Sequence, residues 1–198
     1  IEVNGTKRGI IGDTVDMSLC AKAKDEFNMG CKARTVSFTQ LYGGKITAAL
    51  SRQHPRDLFD CKYMDISSFE DVKDGFMLCL LGSDKPIIES LQPNEIDQTD
   101  ALEQQFEGMS DIAFGYEDYK QARLQLVKLV QEGMTKADKD FLLSFEEGCP
   151  DWSLCSAGDL SKYPSVQWKL LNIRNLKEHN IQKHEQGIKK LKDFLFPK

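Results

Sequence analysis

Residues 37–60 read SFTQLYGGKITAALSRQHPRDLFD, and they carry the strongest pattern in the chain. Their apolar residues recur with the i, i+3, i+4, i+7 spacing of one helix face: Phe38, Leu41, Tyr42, Ile46, Ala49 and Leu50. Ser37 precedes this pattern at a position where its side chain can cap the first turn. The spacing predicts an amphipathic helix that begins after Ser37 and buries these six side chains.

A cation and two glycines interrupt this face. Lys45 follows Leu41 by four residues and precedes Ala49 by four, so it lies on the apolar stripe. A buried, unpaired ammonium is costly, and Lys45 therefore needs a partner, a route to solvent or an anionic ligand. Gly43 and Gly44 lie directly before it, and each costs a helix interior about 1 kcal/mol relative to alanine. The pair indicates that another group approaches the backbone closely here.

The same stretch ends with a break and a second helix. His54-Pro55 interrupts the first helix, and Pro55 suits the first position of the next one. Asp57 and Asp60 are then i, i+3 neighbours that share a face of this second helix. The sequence therefore presents a lysine on one helix and two carboxylates on the helix that follows.

Two interpretations of these charges remain open. In the first, Lys45 contacts a phosphate, and the two aspartates lie beside it. In the second, Lys45 extends to solvent, and Arg52 and Arg56 form Arg–Asp pairs that fasten the two helices. Such ion pairs are common and mostly structural, so spacing alone favours the second interpretation. His54 either contacts a phosphate or transfers a proton, or it only orients the turn, which is the commoner case.

Size and composition are those of an ordinary globular protein. The 198 residues are 40% hydrophobic and 29% charged, which suffices for one substantial core or two small lobes. No apolar run approaches the ~18 residues of a membrane span, and the amino end lacks a signal-peptide pattern. We therefore expect a cytoplasmic protein with no membrane segment. The first residue is Ile rather than Met, which suggests a chain cut from a longer one.

The cysteines do not predict a metal site. None of the six forms a C-x-x-C pair, and with three histidines there is no zinc-finger spacing. Cys149 and Cys155 are close enough in sequence to pair. In a reducing cytoplasm we expect buried free thiols instead.

The net charge of −5 is distributed unevenly. Residues 166–198 carry eight Lys and Arg against three Asp and Glu, which gives +5 there and −10 over the other 165 residues. A basic helical segment on an acidic body indicates contact with a polyanion such as RNA. The alternative is a solvated face of a terminal helix, which is the commoner case.

The remaining pattern predicts a few short strands followed by helices. Residues 1–5 and 33–38 have strand character, and residues 19–27 have helical character. After Asp60 we expect helices at residues 68–81, 94–108, 116–132, 135–147, 165–178 and 181–196, and a short helix or turn at residues 87–91. The fold class is therefore mainly α with a small αβ remnant.

Two further groups of polar residues are candidates for a site. Lys169 and Asn172 are i, i+3 neighbours that could face a cleft together. The alternative, which we favour, places Trp168 in the core beside surface polar groups. Asp138 and Asp140 follow a predicted helix start, where the helix dipole favours negative charge, and we expect no catalytic role for them.

The segment LYGGKITAALSRQHPRDLFD resembles a block of the AbiEii/AbiGii-type nucleotidyltransferase toxins, in which a lysine helix runs into an R-D-x-x-D helix. The likeness covers nearly the whole chain. It continues in RGIIGD, LCLLGSDKPIIESLQPN, FEGM at 106–109, DKDFLLSFEEGCPDWSL and PSVQWKLLNI. It implies a remnant of a nucleotidyltransferase-like domain with the lysine helix at residues 1–65 and a C-terminal helical domain at 66–198. The expected architecture is a helical bundle after a few short strands of a nucleotidyltransferase-like sheet.

The chain departs from this family at its amino end. Members begin with a Gly-Gly/Ser-Thr turn and a D-x-D pair that hold the metal and the nucleoside triphosphate. The D-x-D of this chain, Asp138-Lys139-Asp140, lies in a helical context instead. The sequence therefore resembles the C-terminal two-thirds of such an enzyme. We expect the truncated chain to be inactive alone.

The resemblance also implies roles for the charged residues. Lys45 matches the lysine that touches the triphosphate. Asp57, or second to it Asp60, matches a base or acceptor-positioning group. Arg52 and Arg56 would contact phosphates or orient these aspartates.

Mg²⁺ and an NTP are the cofactors that the family implies, although binding to this chain alone is in doubt. Its implied partners are a cognate antitoxin and, for some members, tRNA that receives nucleotides. The alternative function is a non-catalytic remnant that binds RNA or protein.

Overall fold

The computed structural model describes residues 9–197. Two strands lie near the amino end, β1 (Val15–Ser18) and β2 (Lys32–Thr35). The helices of the described part are α1 (Ala21–Phe27), α2 (Phe38–Arg52), α3 (Pro55–Lys62), α4 (Lys73–Leu81), α5 (Ile87–Leu91), α6 (Thr99–Gln105), α7 (Tyr116–Gly133), α8 (Lys136–Glu146), α9 (Pro164–His179) and α10 (Ile181–Leu195). Short 3₁₀ turns lie at Phe69–Asp71 and Trp152–Leu154. The predicted strand at residues 1–5 lies outside the described residues.

The sheet is a small antiparallel pair. Strand β1 pairs with β2 in the register Val15↔Thr35 to Ser18↔Lys32, and α1 connects them. All four side chains of β1 are exposed. The predicted class, mainly α with a small sheet remnant, is confirmed.

Capping groups set the bounds of α2 and α3, as the sequence predicts. The Ser37 hydroxyl accepts a hydrogen bond from the Gln40 backbone N–H at the start of α2. Pro55 occupies the first turn of α3, where its missing N–H costs nothing. Between the helices, Gln53 adopts a left-handed conformation with φ of 52°. This single residue turns the chain from α2 into α3.

Helices α2 and α4 cross with their backbones in contact. A Cβ added to Gly43 would lie 2.2 Å from the backbone N of Phe76, and one added to Gly75 would lie 2.1 Å from the carbonyl O of Thr39. Neither helix could keep this position with a larger side chain at the crossing. The close approach predicted at the glycine pair is confirmed for Gly43, and the approaching group is the protein's own helix.

The predicted buried face of α2 is only half right. Ile46, Ala49 and Leu50 are fully buried, whereas Phe38 is 48% and Leu41 39% exposed. The helix packs through a face that also includes Gln40, Gly43 and Thr47, and this rotation leaves the first turns of the expected stripe in solvent.

Some predicted helix bounds shift for physical reasons. Residues 68–81 do not form one helix, because the Ser68 capping box starts the 3₁₀ turn and α4 begins at Lys73. Helix α6 begins at Thr99 rather than at Asn94. The Asn94 carbonyl instead accepts a hydrogen bond from the side chain of Gln53, 2.7 Å away.

The cysteine prediction is also partly wrong. No disulfide bond joins Cys149 to Cys155, and Cys61 and Cys155 are buried free thiols as expected. Cys20, Cys31 and Cys149, however, are exposed.

Most core side chains of the described part form one cluster, to which α2, α4, α7, α8, α9 and α10 all contribute. None of the helices within residues 9–197 combines the length and hydrophobicity that crossing a membrane requires.

Candidate functional site

The charged residues of the 37–60 stretch meet at the corner between α2 and α3, defined here as residues 45–60. Lys45 Nζ lies 2.6 Å from Asp60 Oδ2, and Arg52 Nη2 lies 2.8 Å from Asp57 Oδ1. Two cations of α2 therefore face the two carboxylates of α3, as the helical spacing of each helix requires. The Arg52–Asp57 pair is one that the second interpretation contains, but its Arg–Asp pair for Arg56 is not found within residues 9–197, and neither interpretation predicted the bond between Lys45 and Asp60.

The two ion pairs differ in their access to water. The side chains of Lys45 and Asp60 are 38% and 40% exposed. Arg52 is 59% exposed, whereas Asp57 is only 11% exposed. Within the corner, Asp60 is therefore the carboxylate that an external ligand reaches more easily.

Of the two carboxylate oxygens of Asp57, one accepts a hydrogen bond and the other does not. Its Oδ1 accepts a hydrogen bond from Arg52, and its Oδ2 is fully buried with no hydrogen-bond partner in the described structure. Asp57 also lies in the first turn of α3, where the helix dipole favours a negative charge. The carboxylate is thus held in place by Arg52 and by the helix end.

His54 orients the turn, which is the commoner of its two expected roles. Its Nδ1 accepts a hydrogen bond from the Arg56 backbone N–H at 3.2 Å, so the ring proton resides on Nε2. That N–H can donate to Gln105 Oε1, 3.1 Å away. The Arg56 side chain is exposed and forms no hydrogen bond or ion pair within residues 9–197. The corner therefore has one cation that is free to bind an anion.

A buried network that the sequence did not predict holds the corner from behind. Gln53 is 2% exposed, and its carbonyl accepts a hydrogen bond from Tyr119 Oη at 3.1 Å. Arg123 Nε donates to Gln53 Oε1 at 2.7 Å, and Arg123 Nη2 donates to the Pro93 carbonyl at 2.6 Å. Helix α7 thereby fixes the left-handed turn. The one local sequence signal is the place of Gln53 just before the His54-Pro55 break.

Cys61 lies beside the carboxylates but is not poised as a nucleophile. Burial, together with the charges of Asp60 and Asp57 and against the opposing effect of Lys45, raises the pKa of its thiol to about 12. The thiol stays protonated at neutral pH. Covalent chemistry at this cysteine is therefore disfavoured.

Lys169 and Asn172 do not face a cleft together. Lys169 is 7% exposed and donates to the carbonyls of Leu80 and Lys85 at 3.0 and 2.6 Å, while Asn172 is exposed. The expected core position of Trp168 is also wrong, because this indole is 64% exposed. Lys169 occupies the inner side of α9 because its ammonium caps the carboxyl end of α4.

Asp138 caps the amino end of α8, as predicted, whereas Asp140 lies beyond the first turn. Asp138 accepts a hydrogen bond from the Thr135 backbone N–H at 2.9 Å and lies 3.3 Å from the buried ammonium of Lys73. Asp140 pairs with Lys136 at 2.6 Å. These contacts account for both carboxylates without a catalytic role.

The corner lies outside four clefts of the described part. Clefts of 730, 660, 570 and 260 Å³ open elsewhere on the described part, and none is lined by Lys45, Arg52, Asp57 or Asp60. Within residues 9–197, no three His, Cys, Asp or Glu side chains are grouped in a way that could hold a metal ion.

Comparison with known proteins identifies the family. No curated protein and no solved structure matches the chain. The family model described as nucleotidyl transferase AbiEii toxin, Type IV TA system, matches residues 1–170. This match includes both strands and the whole α2–α3 corner, and it ends within α9. The chain therefore belongs to the AbiEii family of nucleotidyltransferase toxins from type IV toxin–antitoxin systems.

Proposed function

We propose that the α2–α3 corner is the lysine-and-aspartate part of a nucleotidyltransferase active site, which transfers a nucleotide from an NTP to an acceptor such as tRNA. The observation that carries this proposal is the geometry of the corner. Two cations of α2 face two carboxylates of α3, and the Lys45–Asp60 pair is more than a third exposed. Such an arrangement offers cations to phosphates and a carboxylate to an attacking hydroxyl.

The energetics allow Lys45 to change partners. A partly exposed ion pair contributes only about 0–1 kcal/mol to stability, because water solvates both groups when they separate. A polyphosphate offers more negative charge than one carboxylate and can displace Asp60 from the ammonium. Arg56, which has no competing partner within the described residues, adds a second contact. The corner can thus bind phosphate without a rearrangement of the fold.

Each residue has a role in this proposal. Lys45 binds the triphosphate and offsets the charge that develops during transfer. Asp60, which is 40% exposed and is released when a phosphate takes Lys45, positions the acceptor or takes its proton. Asp57, which the resemblance favours, is the second candidate because it is 11% exposed and held by Arg52. Arg56 contacts phosphates, and His54 keeps the turn in place.

Mg²⁺, which the family implies, does not fit the described residues. No suitable cluster of ligands occurs in residues 9–197, and both carboxylates of the corner are bonded to cations. We therefore assign no step of the reaction to a metal held by these residues. An antitoxin partner follows from the family, whereas tRNA as the acceptor is part of this proposal.

Nucleotide transfer tests this function. The longest protein that the gene encodes is incubated with α-labelled NTPs and tRNA, and label in the RNA is measured for wild type, Asp57→Asn and Asp60→Asn. We expect transfer by the wild type and a loss of about 10²–10⁴-fold in Asp60→Asn, the usual contribution of a general base. A smaller loss is expected for Asp57→Asn, because Asp57 is nearly buried.

The control is Lys128→Ala, which removes an exposed lysine of α7. Absence of wild-type transfer would contradict the proposed activity. Equal transfer by all four proteins would remove both aspartates from the mechanism.

A second candidate function, binding of RNA without catalysis, is favoured by one feature of α9 and α10. The segment 166–198 carries a net charge of +5, and Trp168 on its first helix is 64% exposed. Exposed aromatic rings and cations are the groups that bind single-stranded RNA. RNA affinity without nucleotide should then fall steeply with salt and fall again in Trp168→Ala. Affinity that ignores salt would exclude this function.

A further inference from the structure

One side of α2 presents two aromatic rings that the core covers only in part, because Phe38 is exposed and Tyr42 is half-buried against the core cluster. Phe38 is 48% and Leu41 39% exposed, and the Phe38 and Tyr42 rings lie 4.6 Å apart. The Tyr42 hydroxyl has no hydrogen-bond partner in the described structure. We call this surface, formed by Phe38, Leu41 and Tyr42, the aromatic face of α2.

The aromatic face lies in line with the cations of the corner. Phe38, Lys45 and Arg52 are spaced by seven residues, so they follow one another along the same side of the helix. At a rise of 1.5 Å per residue, Lys45 lies roughly 4.5 Å along the axis from Tyr42 and roughly 10.5 Å from Phe38. An elongated ligand that lies along α2 therefore meets rings at one end and cations at the other.

We propose that the aromatic face binds the nucleobase of the nucleotide whose phosphates Lys45 binds. This inference rests on the proposed function and extends it to the other end of the substrate. A nucleoside triphosphate has the required polarity, with a flat apolar base at one end and a polyanion at the other. Bases stack on aromatic side chains, and this contact is stabilising for every base because each has a π-face.

The chemistry of the face also predicts how selective it is. Phe38 and Leu41 offer no hydrogen-bonding group, and Tyr42 offers only its hydroxyl. Discrimination between bases needs several placed donors and acceptors, which this surface does not have. We therefore expect ATP and GTP to bind with similar affinity.

Isothermal titration calorimetry of the longest protein that the gene encodes, with two probes, tests the proposal. ATP contains base, ribose and phosphates, whereas inorganic tripolyphosphate contains the phosphates alone. Replacing Phe38 by Ala should weaken ATP about tenfold and leave tripolyphosphate unchanged, in line with the usual loss on removal of a stacking ring. Replacing Lys45 by Ala should weaken both probes.

Two further variants serve as controls. Phe27→Ala removes a ring of α1 that is 68% exposed, and it should change neither titration. Phe38→Trp keeps a stacking surface and should retain ATP affinity, which separates a stacking role from a disturbed helix start.

The outcomes separate this inference from the proposed function. Equal ATP affinity of wild type and Phe38→Ala, with Lys45→Ala impaired, would overturn the aromatic site alone. Equal tripolyphosphate affinity of the wild type and Lys45→Ala would overturn the proposal that the corner binds phosphate. Absence of ATP binding to the wild type, with tripolyphosphate still bound through Lys45, would also overturn the aromatic site alone.

Discussion

The two sides of α2 are built in opposite ways. On one side the helix crosses α4 at Gly43 and Gly75, and Ile46 and Leu50 beside this crossing are excluded from water. On the other side it meets α3 through ion pairs, of which the Lys45–Asp60 pair is more than a third exposed. One side has almost no freedom to change, and the other side has charges that can exchange partners.

This difference teaches where stability and function lie on one helix. Close-packed backbones tolerate no added atom, so the crossing fixes the position of α2. Exposed ion pairs add little to stability, so the charges of the corner are available for a ligand. The packed side of α2 fixes the position of the helix, and the side that faces α3 carries charges that can bind a ligand.

The largest expected loss of stability follows from replacing Gly43 by alanine at the crossing of α2 and α4. A Cβ at Gly43 would lie 2.5 Å from the backbone C of Gly75, and backbone cannot move away as a side chain can. Gly43→Ala should lower the free energy of unfolding by about 3 kcal/mol or more, measured by urea denaturation.

The adjacent glycine provides the matched control. The nearest atom to a Cβ at Gly44 is Cys79 Sγ, at an ordinary contact distance of 3.6 Å. Gly44→Ala should therefore raise stability by about 0.5–1 kcal/mol, as expected in a helix interior. If both variants had the same stability, α2 and α4 would not cross as described.

A second, smaller loss is expected at the turn between α2 and α3. Gln53→Gly keeps the left-handed backbone and removes the side chain that bonds to Arg123 and to the Asn94 carbonyl. The Nε of the partly buried Arg123 guanidinium then loses its acceptor, although Nη2 keeps the Pro93 carbonyl, and the free energy of unfolding should fall by about 1–3 kcal/mol. Gln105→Ala, which removes only an exposed partner of His54, is the control. Equal stability of both variants would mean that α7 does not hold the turn.

The buried Lys169 should make the free energy of unfolding depend on pH. Burial lowers the pKa of its ammonium from 10.5 to about 8, against the opposing charges of Glu146 and Asp84. Between pH 8 and 10.5 the unfolded chain therefore binds more protons at this site than the folded one, and stability due to Lys169 rises with pH.

The variant Lys169→Met has no ionisable group at this position, so it should not show this contribution to the pH dependence of stability. The unfolding free energy of wild type minus that of Lys169→Met should increase between pH 8 and 10, measured by urea denaturation at each pH. A difference that is constant with pH, or that decreases, would mean that the lysine keeps an ordinary pKa in the folded protein.

The smallest effect on stability is expected at the corner itself. A double-mutant cycle of Lys45→Met and Asp60→Asn should give a coupling energy below about 1 kcal/mol. The buried pair of Lys73 and Asp138, whose side chains are 5% and 2% exposed, should couple more strongly in the same assay. Equal coupling energies in the two pairs would mean that the Lys45–Asp60 pair serves mainly to hold α2 and α3 together.

Sequence predicted the parts of the molecule that depend on local rules. Ser37 and Pro55 placed the starts of α2 and α3, because caps and proline act within one turn of helix. Helical spacing also placed Asp57 and Asp60 on a shared face, which the structure turns toward Arg52 and Lys45.

The parts that sequence missed depend on long-range contacts. Phe38 was expected in the core because it is apolar. The buried face of α2 is instead set by the close backbone contact at Gly43, and a hydropathy pattern does not predict such a contact. Trp168 was expected inside and Lys169 outside, but the Lys169 ammonium donates to the carbonyls of Leu80 and Lys85 at the carboxyl end of α4, which are distant in sequence. Gln53 has no local signal for the partners that it finds on α7.

The central claim is that Lys45 serves the reaction more than the fold. Its most direct test measures nucleotide transfer and the free energy of unfolding on the same Lys45→Ala preparation of the longest encoded protein. We expect transfer to fall by about 10²–10³-fold while stability changes by less than about 1 kcal/mol. Transfer that equals the wild type, or a loss of several kcal/mol in stability, would contradict the claim.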